Sequence, residues 1–295
     1  MTNKAAMITV CGRPNVGKST LTNTLVGEKI AIVSNKPQTT RNRICAVVTK
    51  GDTQFVFMDT PGFHKPRTRL GDYMVNVVRE SVADVDAVML LVEPLPNIGK
   101  QEQELIARFK ETGVPALLVI NKIDTVQRAE LLEVMAVYSA AYEFDAIIPI
   151  SAKTGEGVDE LLAELSKYAV DGPPLFPDDM ISDQPEKQIC AELVREKLLL
   201  CLDKEIPHGT AVEVTRFSER DDGIIDMDVT IYCEKASHKG IIIGKKGAML
   251  KKIGELARAD IEAFMGTKVF LQTWVKVKEN WRDSQAQLSN FGFTE

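Results

Sequence analysis

Gly12-Arg13-Pro14-Asn15-Val16-Gly17-Lys18-Ser19, followed by Thr20, is a run whose residue types suit an anion of several phosphates. Its two glycines allow the backbone to turn so that successive N–H groups converge on one point. A helix starting behind them adds about half a positive charge at the same place. Lys18 can then reach β- and γ-phosphates, and the Ser19 hydroxyl can take one position on a magnesium ion. Three further stretches offer matching chemistry. In Asp59-Thr60-Pro61-Gly62 the carboxylate can hold the magnesium through water while the Gly62 N–H approaches the γ-phosphate. In Asn121-Lys122-Ile123-Asp124 the last carboxylate has two oxygens spaced to accept from N1–H and the exocyclic amine of guanine. Adenine offers neither donor and leaves a buried carboxylate unpaired, a mismatch worth roughly 10⁴-fold in selectivity. In Ser151-Ala152-Lys153 backbone N–H groups can meet the guanine O6. Taken singly, the second stretch also reads as a Pro-Gly turn with a capping aspartate, and Asp124 as a helix N-cap.

What must position these residues is a sheet. Apolar runs at 6–10, 44–49, 54–58, 87–92, 116–120 and 146–150 read as strands, and amphipathic stretches at 21–26, 73–83, 101–111, 129–142 and 158–168 as helices. Such alternation predicts an α/β domain with a mostly parallel sheet, covered on both faces, that binds ligands at the carboxyl ends of its strands. The four stretches fall at such ends, after the first, third, fifth and sixth strands.

A chain of 295 residues, 44% hydrophobic and 26% charged, predicts a globular protein of two domains. No apolar run approaches the roughly 18 residues of a membrane span, and Met1-Thr2-Asn3-Lys4 leaves no room for a signal peptide before the first strand. The cysteines Cys11, Cys45, Cys190, Cys201 and Cys233 are scattered, which predicts reduced thiols and a cytoplasmic chain rather than a disulfide framework or a zinc site. His64, His208 and His238 are isolated and are not read as metal ligands. The net charge of −6 is unevenly spread. Residues 235–282 hold nine lysines and two arginines against four acids, a local +7 that leaves −13 for the rest.

Together the four stretches resemble the translation-factor branch of the P-loop GTPases, and the Asn-Lys-x-Asp element separates them from most ATP-using relatives. The resemblance implies a small-GTPase-like P-loop fold that binds GTP or GDP with Mg2+. In it Pro37-Gln38-Thr39-Thr40-Arg41 occupies the place of the first switch. Thr40, ahead of Thr39, is expected as the second magnesium-binding hydroxyl beside Ser19 and Asp59. Lys18, Thr40, Gly62 and Asn15 are the residues expected in catalysis. One departure matters: Phe63 stands where many GTPases of this fold carry a Gln that orients the attacking water. The chain thus resembles the GTPases with a hydrophobic residue there, several of which hold a potassium ion with a P-loop Asn. Asn15 is the matching residue, so slow hydrolysis raised by K+, by a partner or by both is expected.

Asp171-Gly172-Pro173-Pro174-Leu175-Phe176-Pro177-Asp178-Asp179 cannot continue a helix and reads as a semi-rigid extended connector. The expected division is a GTP-binding domain at 1–170, a linker at 171–185, a second domain at 186–282 and a tail at 283–295. The second domain reads as helix (186–201), strand (212–216), strand (225–232), helix, loop, helix (to 265) and strand (268–278), with Asp221-Asp222-Gly223 as a hairpin turn. Its loop, Gly244-Lys245-Lys246-Gly247, resembles the GxxG loop of a type 2 KH domain, which clamps about four nucleotides. Lys245 and Lys246 are expected at phosphates, with Lys251 nearby, and Ile242 and Ile243 as the floor of a groove for bases. Trp274 reads as core or sheet surface, and Trp281 beside Arg282 as core or a base-stacking ring.

A GTP-binding domain followed by a type 2 KH domain, with Pro-Gln-Thr-Thr-Arg in the first switch, is similar to the Era family of bacterial GTPases over nearly the whole chain. That resemblance implies a monomeric GTPase that binds the 3′ region of 16S ribosomal RNA and acts in maturation of the small ribosomal subunit. It also implies peripheral contact with the inner membrane and no DNA partner. GTP-bound switches are expected to favour exposure of the Gly244-Lys245-Lys246-Gly247 loop. Two other readings stay open: a GTPase of the same branch acting on transfer RNA, and a C-terminal domain that binds protein instead of RNA. Asp124→Asn tests the base contact. In competitive binding, preference is expected to move from GTP toward xanthosine triphosphate, whose carbonyl oxygen on the ring can accept from the new amide; an unmoved preference removes Asp124 from the base.

Overall fold

A computed structural model describes residues 3–36, 38–62, 68–81 and 85–293. The chain divides into two compact units. One comprises Met1–Ala31, Thr40–Lys65 and Met74–Asp183, the other Ile32–Thr39, Pro66–Tyr73 and Gln184–Glu295.

Up to residue 171 the elements are β1 (Lys4–Cys11), α1 (Lys18–Val26), β2 (Ile44–Lys50), β3 (Thr53–Asp59), α2 (Arg69–Glu80), β4 (Ala87–Val92), α3 (Lys100–Thr112), β5 (Ala116–Ile120), α4 (Arg128–Ala141), β6 (Ala146–Pro149), α5 (Val158–Leu165) and β7 (Val170–Asp171). The sheet runs β2-β3-β1-β4-β5-β6, parallel except for β2, which pairs antiparallel with β3. β7 is a short antiparallel addition at the start of β1, where Lys4 faces Asp171. Successive side chains of a strand point to opposite faces, so a strand buried on both sides must be apolar throughout. β4 and β5 do this: Met89, Leu91, Leu117 and Val119 pack toward α1 and α5, while Val88, Leu90, Leu118 and Ile120 pack toward α3 and α4. The parallel strands deliver the residues after β1, β3, β5 and β6 to one edge of the sheet, beside the point where the strand order reverses at β1.

The Pro-rich stretch is extended, but it is not a bare connector. Gln54 on β3 accepts the N–H groups of Leu175 and Phe176 at 2.8 and 2.9 Å and donates to the Phe176 carbonyl at 2.9 Å. Val47 N–H donates to the Ile181 carbonyl at 3.0 Å, and Ala46 bridges Ser182. β2 is the edge of the sheet, and this segment satisfies part of its outer row of backbone groups. The unit boundary accordingly falls at Asp183, beyond the Pro-rich residues.

The second unit contains α6 (Glu186–Cys201), β8 (Thr210–Glu219), β9 (Ile225–Cys233), α7 (Ala236–Ile243), α8 (Ala248–Met265), β10 (Val269–Val277) and α9 (Gln285–Asn290). β9 pairs antiparallel with β8 and parallel with β10. Leu193, Leu198, Met227, Val229, Ile231, Ile253 and Ala257 form the core between helices and sheet. Trp274, on the opposite face, is 56% exposed and lies on the sheet surface.

The sequence predicts a tail at 283–295; the described part is packed instead. Trp281 is fully buried, its Nε1–H donates to the Gly209 carbonyl at 3.0 Å, and its ring meets Phe291 edge-on at 5.3 Å and Phe293 at 6.2 Å. A ring enclosed in this way cannot stack a base, so that role for Trp281 is withdrawn. Two early segments also belong to this unit. Ile32 lies in its core, Val33 N–H donates to Glu196 at 2.9 Å, and Arg195 donates to the Thr39 carbonyl. Arg69 N–H donates to Asp283 at 3.1 Å, and Tyr73 meets the Phe293 ring.

Candidate functional site

The turn after β1 has Gly12 at φ 147°, Asn15 at φ 68° and Gly17 at φ 100°. A side chain at Gly12 would strike the Leu91 carbonyl, and one at Gly17 would strike the Asn121 carboxamide, so both glycines answer to close approach as well as to backbone angle. Turning N–H groups inward pushes carbonyls outward, and each needs a donor. Lys18 Nζ supplies two: it donates to the carbonyls of Gly12 at 3.1 Å and Arg13 at 3.0 Å. Burial holds the Lys18 ammonium below its ordinary range, against the opposing pull of Asp59. Asn121 Nδ2 donates to the Val16 carbonyl at 2.8 Å and Lys122 Nζ to that of Asn15 at 2.7 Å.

Ser19, Thr40 and Asp59 come together. Ser19 Oγ lies 2.8 Å from Thr40 Oγ1 and donates to Asp59 Oδ2 at 2.8 Å. Burial pushes the Asp59 carboxyl up to about 6, and Lys18 and the Ser19 hydrogen bond pull it back. Its other oxygen, Oδ1, is buried without a hydrogen-bond partner. Two hydroxyls and a carboxylate with an orphaned oxygen are the hard-oxygen set that a magnesium ion takes. Thr60 is buried and its hydroxyl donates to the Val10 carbonyl at 2.8 Å, a tie to β1 rather than a free ligand group. Gly62 packs so closely on Pro14 that a Cβ would stand 2.9 Å away. Phe63 lies outside the described residues, as does Pro37.

At the far end of the site, Asn121 Oδ1 accepts the Ala152 N–H at 2.9 Å, so one carboxamide joins the loops after β1 and β6. Ser151 Oγ donates to Asp124 Oδ1 at 2.8 Å, which orients the carboxylate. Thr24 donates to the Ala152 carbonyl at 2.6 Å. Lys153 is exposed, and Thr20 is half-buried on the first turn of α1. Sequence reasoning missed two residues here: Glu93, which takes Lys122 Nζ at 2.6 Å, and the fully buried Glu102, which pairs with Arg13. Neither sits in a recognisable motif.

In the second unit the Gly244-Lys245-Lys246-Gly247 turn joins α7 to α8. Gly244 has φ 72° and a Cβ there would stand 2.7 Å from that of Met249, while Gly247 has φ 80°. Lys245, Lys246 and Lys251 are exposed. Ile243 is half-buried against the core, and Ile242 is fully buried in it. Ile242 therefore cannot floor a groove for bases; three consecutive isoleucines leave the helix phase ambiguous, and Ile241 is the one that is half exposed.

Residues 7–122 match the family described as 50S ribosome-binding GTPase, and residues 205–282 match the KH domain. GTPase Era of Ruminiclostridium cellulolyticum is 53% identical over 293 residues, 99% of this chain and 98% of the relative. GTPase Era of Clostridium kluyveri is 49% identical over 98% of this chain and 99% of its own. Among solved structures, a variant of Aquifex aeolicus Era bound to GDP and AlF4− matches with TM-score 0.94, at 35% identity over 99% of this chain and all of that one. Era in complex with MgGDPNP and nucleotides 1506–1542 of 16S ribosomal RNA matches with TM-score 0.95, again at 35% identity, over 99% of this chain and 100% of that one.

Asn121→Ala is expected to weaken GDP binding roughly a hundredfold, because two buried hydrogen bonds between loops are lost together. Titration with a fluorescent GDP analogue checks this, and an affinity within threefold of wild type would show that the loops hold without the carboxamide.

Proposed function

The chain belongs to the Era family of GTPases, and we propose that it is a slow switch whose KH domain clasps the 3′ region of 16S ribosomal RNA during maturation of the small ribosomal subunit. The observation that carries the first half is the convergence of Ser19, Thr40 and Asp59 beside buried Lys18. Ser19 and Thr40 would ligate Mg2+ directly and Asp59 through water. The ion, when bound, offsets charge on the β- and γ-phosphate oxygens. Lys18 holds the same oxygens, the Gly62 N–H meets the γ-phosphate, and Asp124, set by Ser151, reads guanine. Gly12, Arg13 and Pro14 through their backbone, with Val16, Gly17, Thr20, Thr60, Pro61, Phe63, Asn121, Lys122, Ala152 and Lys153, complete the nucleotide contacts of the proposal.

Thr40 leads the first-switch role. The residues before it, up to Thr39, are held in the second unit by Arg195 and Glu196, which supports a reading in which release of Thr40 is felt there. For RNA the support is the Gly244-Lys245-Lys246-Gly247 turn with its exposed lysines, together with the relative solved with 16S ribosomal RNA. The finer parts of the proposal are a potassium ion at Asn15, action as a monomer, and a cytoplasmic location with peripheral contact at the inner membrane. Among the described residues no helix is long and apolar enough to cross a membrane.

Two measurements test this. Single-turnover GTP hydrolysis is expected to be faster in potassium than in sodium chloride of equal strength; equal rates would remove the cation from Asn15. In filter binding, a Lys245→Asp, Lys246→Asp variant is expected to lose affinity for a single-stranded RNA carrying the 16S 3′ sequence and to show a salt slope shallower by about two contacts. Retained affinity and slope would make the second unit a protein-binding module, and equal affinity in GDP and GTP-analogue states would uncouple it from the switch.

A further inference from the structure

Besides Lys18, Arg13 is the cation of the phosphate loop, and an arginine supplied in cis is a ready means of stabilising charge on a transferring phosphoryl group. The geometry engages it elsewhere. Its Nε pairs with Glu102, the third residue of α3, which is completely buried. Gly99, just before α3, leaves the carboxylate its room: a Cβ there would stand 2.7 Å from Glu102 Oε2. Arg13 Nη2 also lies 3.8 Å from Glu93 at the end of β4. Glu93 in turn holds Lys122 Nζ at 2.6 Å, and Lys122 donates to the Asn15 carbonyl at 2.7 Å. The four side chains form an alternating, neutral series that starts inside α3 and ends on the phosphate loop at Asn15.

A buried carboxylate stripped of its counter-ion is strongly destabilising, so an Arg13 that swung to a phosphate would leave Glu102 uncompensated. We infer that Arg13, Glu93 and Glu102 are positioning residues for GTP hydrolysis, setting the 13–15 turn of the loop without touching the transferring phosphate. The turn matters to hydrolysis more than to binding because of what it touches. Pro14 packs directly on Gly62, the residue assigned to the γ-phosphate, which GDP lacks, so a displaced turn is felt first at the group that hydrolysis removes. The inference rests on nucleotide binding at this loop, which GDP titration of the same proteins reports separately.

The test is a double-mutant cycle in the full-length chain. Arg13→Gln and Glu102→Gln are each expected to slow single-turnover hydrolysis about tenfold, the scale on which small displacements of positioned groups are felt. GDP affinity is expected to stay within about threefold of wild type, a split that general loosening of the fold would not produce. The double variant is expected to be no slower than the slower single one, because both substitutions remove the same link. Losses that multiply to about a hundredfold would mean that Arg13 acts on the phosphates by itself, and unchanged rates in both single variants would leave the series without a role. Either result overturns the inference. Glu93→Gln, at a half-buried position, gives a second reading if the buried substitution reduces the folded fraction. Slowed hydrolysis with intact GDP binding supports the inference; an unchanged rate, or equal losses of rate and GDP affinity, defeats it. Failure of the wild-type chain to bind GDP would instead strike the nucleotide assignment.

Discussion

A loop that points a row of N–H groups at one anion must turn its carbonyls the other way, and those carbonyls cannot be left bare in a folded protein. The first unit answers this with side chains from elsewhere in the chain. Lys18 serves Gly12 and Arg13, Lys122 serves Asn15, and Asn121 serves Val16. The outward face of the phosphate loop is thereby tied to Asn121 and Lys122 in the loop after β5. Asn121 extends the tie to Ala152, so the loops after β1, β5 and β6 are joined by one connected set of hydrogen bonds.

The same economy appears in the charges. Lys18 is buried beside Asp59, and each shifts the other toward its ionised form against the cost of desolvation. A second pairing, further back, matches Arg13 with Glu102 and Lys122 with Glu93. The cations of the phosphate loop are thus each matched by a carboxylate, Lys18 by Asp59 at its centre and Arg13 by Glu102 on its flank.

How much of this could be read from residue order depends on how local the cause is. Gly12, Gly17, Asp59, Asn121 and Asp124 announce themselves because each answers to a narrow demand within its own few residues, and the strands between them alternate as a covered parallel sheet must. The helix at 186–201 was legible to its ends, since its apolar spacing is regular. Glu102 was not: its partner lies 89 positions away, and an acid in the first turn of a helix has an ordinary explanation of its own. Ile242 was misjudged because three isoleucines in a row carry no phase, and only the sheet beneath α7 decides which one is buried. By composition alone the Pro-rich segment and the last thirteen residues read as connector and tail. The anchor of the first, Gln54, is distant in sequence, while that of the second, the Trp281 ring, stands just ahead of it but does not show from its type alone whether it is core or surface.

The excursion at 32–39 has a bearing on modularity. Ile32 is part of the core of the second unit although it stands 152 positions before Gln184, where the main part of that unit begins. A cut in the Pro-rich stretch would therefore not release two complete parts. It would leave an isoleucine exposed on one fragment and an unfilled space inside the other. Excision of either half, or its fusion to a foreign partner, severs a hydrophobic contact that no choice of linker can replace, so the covalent order of the gene and the physical partition of the molecule are not the same thing.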